Sequence, residues 1–155
     1  MELTIRVDDP TAPDVQALLE RHLRFANDES PAEHVHAYPA ARLAQPSVTF
    51  FSARRDGTLL GVGALSELDP THGEVKSMHT AAEARGQGVA RAMLTHLMAV
   101  ARERGYQRVS LETGGTDAFQ PALALYESCG FVRCPPFAQY TENEFSVCMT
   151  RLLDG

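Results

Sequence analysis

The stretch that most constrains the fold runs from residue 74 to residue 113, where the chain changes its apolar repeat from strand to helix and back. Glu74–Thr80 reads as a strand. From Gly86 to Arg104 the apolar positions are Val89, Met93, Leu94, Leu97 and Ala101, the spacing of one helix face. Gly105 ends that helix, and Gln107–Thr113 reads as a strand again. A helical crossover of this length makes its two strands parallel, with a right-handed connection.

The flanking segments predict a different pairing. Val48–Arg54 and Leu59–Leu68 are strands joined by Asp56-Gly57, a hairpin turn. Gly61 and Gly63 within the second strand imply a bulge or a close approach of another backbone or side chain. Pro70-Thr71-His72-Gly73 is a further turn. Upstream, Leu3–Val7 is a first strand, broken by Asp9-Pro10-Thr11. A helix then starts near Pro13 and runs to about Asn27 on Val15, Leu18, Leu19, His22 and Ala26. His22 lies on its apolar face as a boundary core residue. Asp28–Gln45 is polar, carries Pro31 and Pro39, and reads as a short helix inside a long connection of the kind that contacts substrates. Downstream, Ala118–Cys129 is a helix closed by Gly130, Phe131–Cys134 a short strand, Pro135-Pro136 a stop, and Phe145–Leu153 a last strand. The expected architecture is a single α/β domain over residues 1–155. Its sheet is mixed and mostly antiparallel, with one parallel pair in the middle.

Composition narrows the function. The chain has 155 residues, 44% apolar and 22% charged, which is globular composition. Fourteen basic against twenty acidic residues give a net charge of −6, and the longest basic run is Arg54-Arg55. A sequence-independent nucleic-acid binder needs a basic footprint, so nucleic acid is excluded as an expected partner. Lys76 is the only lysine, and with the abundant arginine and alanine it hints at a bacterial genome. Cys129, Cys134 and Cys148 are odd in number and include no CxxC, which argues against a disulfide framework and a zinc site. No apolar run approaches the ~18–20 residues that span a bilayer, and the first residues do not read as a signal peptide. The expectation is a cytoplasmic protein with reduced thiols and no membrane partner.

Between strand and crossover helix lies Arg85-Gly86-Gln87-Gly88-Val89-Ala90. Its glycines allow a tight turn and leave the first helical N–H groups uncovered, an arrangement that favours an anion, typically a phosphate. The dinucleotide fingerprint needs a third glycine where Arg91 stands, and the P-loop needs Gly-Lys-Ser/Thr. The pattern Arg/Gln-x-x-Gly-x-Gly/Ala fits residues 85–90 in full.

On these residues the sequence resembles the GNAT superfamily of acetyl-CoA-dependent N-acetyltransferases. Glu74-Val75-Lys76-Ser77-Met78-His79-Thr80 looks like the family's central strand. Ala122-x-x-Leu125-Tyr126-x-x-x-Gly130-Phe131 looks like its second signature helix. The three segments lie in family order and the resemblance covers about residues 59–153. It implies a splayed parallel strand pair, helices on both faces of the sheet, and acetyl-CoA in the cleft as co-substrate, with no metal. The pyrophosphate would rest on backbone amides of Gln87, Gly88, Val89 and Ala90 beyond Gly86, with Arg85 and Arg91 adding charge. The pantetheine arm would run along Met78, His79 and Thr80.

Acetyl transfer to an amine requires a base, an oxyanion donor and an acid for the departing thiolate. The resemblance implies Tyr126 as the acid, against the alternative of a packed helix aromatic. It implies Glu74 as the base, against a solvent-facing strand end or a substrate-binding carboxylate. Glu112, at the end of the next strand, also points toward the presumed cleft, and His79 is a further candidate base. The backbone N–H near Met78 would serve the oxyanion. Phe119 stands where many members carry asparagine, and is expected to wall the acceptor pocket instead. Acceptor contacts are expected from residues 28–45 and 135–145, with Phe25, His36 and Tyr140 as candidates. His34 and His36 lack a third partner for a metal. The expected activity is transfer of acetyl from acetyl-CoA to a primary amine of a small molecule or peptide by direct attack in a ternary complex. The alternative is a non-catalytic acyl-CoA-binding or regulatory module on the same fold. Association into a homodimer stays open.

Overall fold

Asp56 and Gly57 both take positive φ, 54° and 81°, and turn the chain between β2 (Val48–Arg55) and β3 (Thr58–Asp69). The computed structural model describes residues 3–29, 46–115, 119–138 and 146–153, and of residues 22–29 only the helical backbone. β1 (Thr4–Val7) pairs antiparallel with β2, and β4 (His72–Thr80) with β3. β5 (Arg108–Gly114) then pairs parallel with β4. β7 (Ser146–Leu152) pairs antiparallel with β5, and β6 (Val132–Cys134) forms the edge. The seven strands lie in the order β1-β2-β3-β4-β5-β7-β6. The mixed sheet with its parallel pair is the one the sequence predicts. His72 belongs to β4 rather than to the preceding turn, because Asp69 Oδ1 accepts from both the amide and the hydroxyl of Thr71 and closes the turn two residues earlier.

Three α-helices are described: α1 (Pro13–Glu29), α2 (Val89–Glu103) and α3 (Gln120–Ser128). The alternation of β2 shows that α1 and α2 cover opposite faces of the sheet. Arg54 reaches Asp14 of α1 at 2.7 Å, while the ring of Phe51, on the other face, packs edge-on against His96 of α2 at 4.9 Å. Val15, Leu18 and Leu19 of α1 are buried on the first face, and all five predicted apolar positions of α2 on the second. Each such valine, leucine or methionine contributes roughly 1.5–3 kcal/mol by leaving water, and Ala101 less. The glycines of β3 accommodate α2: a Cβ on Gly63 would lie 2.8 Å from Met93 Cγ. Arg54 also holds Asp8 at 3.1 Å, tying β1, β2 and α1 together. Burial raises the Asp8 pKa, but hydrogen bonds from Ser52, the Asp9 amide and Arg54 outweigh it and hold the carboxyl below its usual range.

Two features shape the middle of the sheet. β4 and β5 pair only from His72↔Arg108 to Val75↔Leu111, so their C-terminal halves diverge as a fork. At the fork, Ser77 has φ 55°, and the register with β3 jumps from Ala64↔Lys76 to Val62↔His79. This is a β-bulge, one extra residue in β4. No described helix is long and apolar enough to cross a membrane.

Candidate active site

The fork opens into a cavity of about 580 Å³ on the face carrying α2 and α3. One wall is the end of β4, with Met78, His79 and Thr80. The far end is Arg85, Gly86, Gly88 and the first turn of α2, Val89, Ala90 and Arg91. The opposite wall is Thr113 of β5 with Phe119 and the α3 residues Ala122, Leu125 and Tyr126. Nine of the ten residues expected at the cofactor therefore border one cavity. The tenth, Gln87, turns its side chain away: its Oε1 accepts from Arg55 at 2.9 Å and its Nε2 donates to the Glu83 carbonyl at 3.3 Å. Arg55 escaped the sequence reading because it lies 32 positions from Gln87 and joins it only through the folded hairpin.

The anion end follows from local conformation. Gly88 caps α2 with φ 82°, a left-handed conformation that costs L-residues about 1–2 kcal/mol. No side chain caps this helix, so its first amides are not consumed by a local oxygen. A Cβ at either Gly86 or Gly88 would meet nothing within 4 Å, so the approach to those amides is open. Arg91 lies beside them, donating to Ser128 Oγ at 2.9 Å. A phosphodiester fits this charge and this geometry.

On the α3 wall, Tyr126 is 6% exposed and stacks edge-on against Phe131 at 6.0 Å. Burial pushes its phenol up to about 12. It is therefore a proton-holding group throughout the neutral range. Phe119 packs so closely over Gly114 that any Cβ there would overlap its ring.

Glu74 and Glu112 stand elsewhere. Register places Lys76 opposite Ala64, Glu74 opposite Ser66 and Ser110, and Glu112 opposite Cys148, all on the face that carries α1. Neither carboxylate borders the cavity described. Glu74 is 1% exposed, and its Oε2 lies 3.1 Å from Lys76 Nζ. The bulge brings His79 onto this same face, three residues after Lys76, where plain alternation would have put it on the other. The Cys148 thiol, opposite Glu112, is pushed up to about 11, first by burial and then by the carboxylate of Glu112, with Cys134 and Glu74 adding to it. Ion pairing of Glu74 with the sole lysine was missed from sequence, although their separation of two positions on a strand puts them on one face. The side chain of Phe25 lies outside the described residues, as do His34, His36, Tyr140 and the expected short helix beyond residue 29.

Comparison with known proteins adds to this geometry. Residues 14–131 match the model of the Acetyltransferase (GNAT) family. The chain is 47% identical over 149 residues to the uncharacterized N-acetyltransferase YsnE of Bacillus subtilis, covering 96% of this chain and 99% of that one. It is 35% identical over 152 residues to the IAA acetyltransferase of Azospirillum brasilense, covering 97% and 98%. Among solved structures, a provisionally named acyl-CoA N-acyltransferase from Klebsiella pneumoniae is similar with a TM-score of 0.80 and 26% identity over 98% of both chains. A GNAT family acetyltransferase from Elizabethkingia anophelis with acetyl-CoA bound is similar in fold, with a TM-score of 0.71 and 19% identity over 97% of this chain and 98% of that one.

Proposed function

The chain belongs to the GNAT family of acetyltransferases, and from that premise we propose that it transfers the acetyl group of acetyl-CoA to a primary amine of a small molecule or peptide by direct attack. The observation that carries this reading is one cavity lined both by Gly86, Gly88 and Arg91 of the anion loop and by Tyr126 of α3. Amides at the start of α2, with Arg85 and Arg91, hold the pyrophosphate. The backbone of Met78, His79 and Thr80 aligns the pantetheine arm, and the Met78 amide at the bulge serves the oxyanion. Tyr126 donates a hydrogen bond to the departing thiolate that tightens as the bond to sulfur breaks. The amine enters from the face of the sheet that carries α1, where Glu74 accepts its proton and Glu112 helps hold it. Phe119 walls the pocket.

The test is release of free thiol from acetyl-CoA across a panel of amines: spermidine, an aminoglycoside, a lysine-bearing peptide and an amino-terminal peptide. The expected result is acceptor-dependent thiol release with a matching acetylated product. Tight binding of acetyl-CoA with no release above hydrolysis across the panel would leave a binding module on the same fold.

A further inference from the structure

Lys76 is the only lysine of a chain with fourteen basic residues, and it is nearly inaccessible. Its side chain is 5% exposed and that of Glu74 1%, with 3.1 Å between Nζ and Oε2. Removing two charges from water is expensive, and a buried pair rarely outperforms apolar residues of the same volume as a source of stability. Stability alone is therefore a weak reason for this pair.

Its place in the sheet supplies a better one. Glu74 still lies within the parallel ladder, opposite Ser110, whereas Lys76 is the first residue beyond the last rung, Val75↔Leu111. The pair thus straddles the fork, immediately before the bulge at Ser77. Lysine is a compact point charge that can lie along a strand beside a neighbour two residues away, where the planar fork of arginine needs more room.

We infer that Lys76 is a positioning residue of the transfer reaction, holding the Glu74 carboxylate ionised and fixed in place at the fork; this rests on the reading of Glu74 as the base. Other groups on that face bear on the same carboxylate. From β3 these are the uncharged Ser66 and Ala64, opposite Glu74 and Lys76. From β5 they are Ser110 and the carboxyl group of Glu112. Within β4, His72 engages Ser110 at 2.7 Å, and His79 follows the bulge. From β7 and β6, Cys148 and Cys134 are thiols raised by burial, hence neutral. The described buried face of α1 is apolar, with Val15, Leu18 and Leu19. Among the described residues, Lys76 is the cation that lies within ion-pair distance of Glu74.

The sole lysine makes the pair directly observable. In protein labelled with ¹³C at lysine Cε, one side-chain signal reports Lys76. It is expected to shift as Glu74 takes up a proton at acid pH, and Glu74→Gln is expected to abolish that step. In kinetics with the panel amine of highest turnover, Lys76→Met should move the acid limb of kcat/KM upward by about one pH unit or more, the size of an adjacent opposite charge. The KM for acetyl-CoA should stay within about twofold. Lys76→Arg restores the charge and should recover part of the profile even if Lys76→Met fails to fold. An acid limb in Lys76→Arg and Lys76→Met identical to wild type, or a lysine signal indifferent to Glu74→Gln, overturns the inference. If Glu74→Gln keeps wild-type kcat, the base assignment falls and the inference with it. If Glu74→Gln is inactive while the Lys76 variants keep the wild-type limb, the base assignment stands and only the positioning role falls.

Discussion

Arg91 on the first turn of α2 donates to Ser128 on the last turn of α3, Nη2 to Oγ at 2.9 Å, and so joins the two helices that wall the candidate acetyl-CoA site. Ser128 Oγ in turn donates to the Leu125 carbonyl at 2.7 Å, which fixes its orientation. Arg91 therefore has two separable contributions, a charge beside the anion loop and a strap to α3.

Substitutions can divide them. Hydrogen bonds to charged groups contribute about 1.5–3 kcal/mol, so Arg91→Ala should weaken acetyl-CoA binding by roughly tenfold or more. Ser128→Ala keeps the charge and loses only an exposed strap, and should cost at most a few-fold. Titration calorimetry at two salt concentrations checks this. Equal losses in both variants would show that the strap, rather than the charge, sets affinity.

Gly88 separates conformation from access. Its φ of 82° makes Gly88→Val unfavourable for the backbone as well as for the ligand, so loss of binding there would be ambiguous. Asparagine tolerates the left-handed region, and the space around the missing Cβ is open. Gly88→Asn should therefore melt within a few degrees of wild type while its side chain obstructs the amides of α2. Acetyl-CoA at ~100-fold above its Kd should raise the wild-type Tm through ~2.7 kcal/mol of linkage. The variant should show little of that rise. An undiminished rise would make Gly88 a turn residue only.

How much of this was legible beforehand depends on the range of the signal. The α2 stripe of Val89, Met93, Leu94, Leu97 and Ala101 and the glycine loop are local patterns, and each lies where they indicate. The bulge at Ser77 is not local in this sense. Nothing in Lys76-Ser77-Met78 marks a non-glycine residue for φ 55°, since the bulge exists only in the register with β3, a partner distant in sequence. The bulge resets which face His79 occupies, so plain alternation would put it on the wrong one. Glu74 was recognisable as a strand carboxylate, but its near-complete burial beside Lys76 runs against the general exposure of charged residues and becomes visible only with the folded sheet.

His72 predicts an acid-sensitive step in stability. Its Nε2 lies 2.7 Å from Ser110 Oγ and its ring 6.0 Å from Phe137. Burial holds its pKa below the usual 6.5, with Arg108 adding to the shift and Asp69 opposing it. The folded state thus favours the neutral ring. This contribution is fully present above the unfolded value and is lost as pH falls from about 6.5 through the lower folded value. The Tm should begin to decline as pH falls below about 6.5, ahead of the loss from Asp8 and Asp14, whose lowered pKa values place their effect below about pH 4. His72→Gln should flatten the first decline and leave the second. Parallel curves for the two proteins from pH 7 down to the onset of the second decline would remove His72 as the cause.

Tyr126 carries the sharpest prediction for the chemistry. It borders the same cavity as Met78, along which a pantetheine arm would bring its sulfur. Burial pushes the phenol up to about 12, well above a thiol near 8.5. A proton on Tyr126 is therefore always available, and full transfer to a thiolate is uphill, so donation is expected as a hydrogen bond that tightens while the bond to sulfur breaks. Loss of that proton cannot limit the rate below about pH 11. The alkaline side of the kcat profile should stay flat through pH 10 as far as Tyr126 is concerned. Tyr126→Phe keeps the ring against Phe131 and removes only the hydroxyl, so the fold and the affinity for acetyl-CoA should survive. A general-acid step is worth ~10²–10⁴-fold, and kcat should fall within that range. The loss should shrink with an acyl donor whose thiol leaves more readily, because a better leaving group needs less help. A Tyr126→Phe enzyme with wild-type kcat on acetyl-CoA would reduce Tyr126 to a packed aromatic, with the thiolate departing unaided.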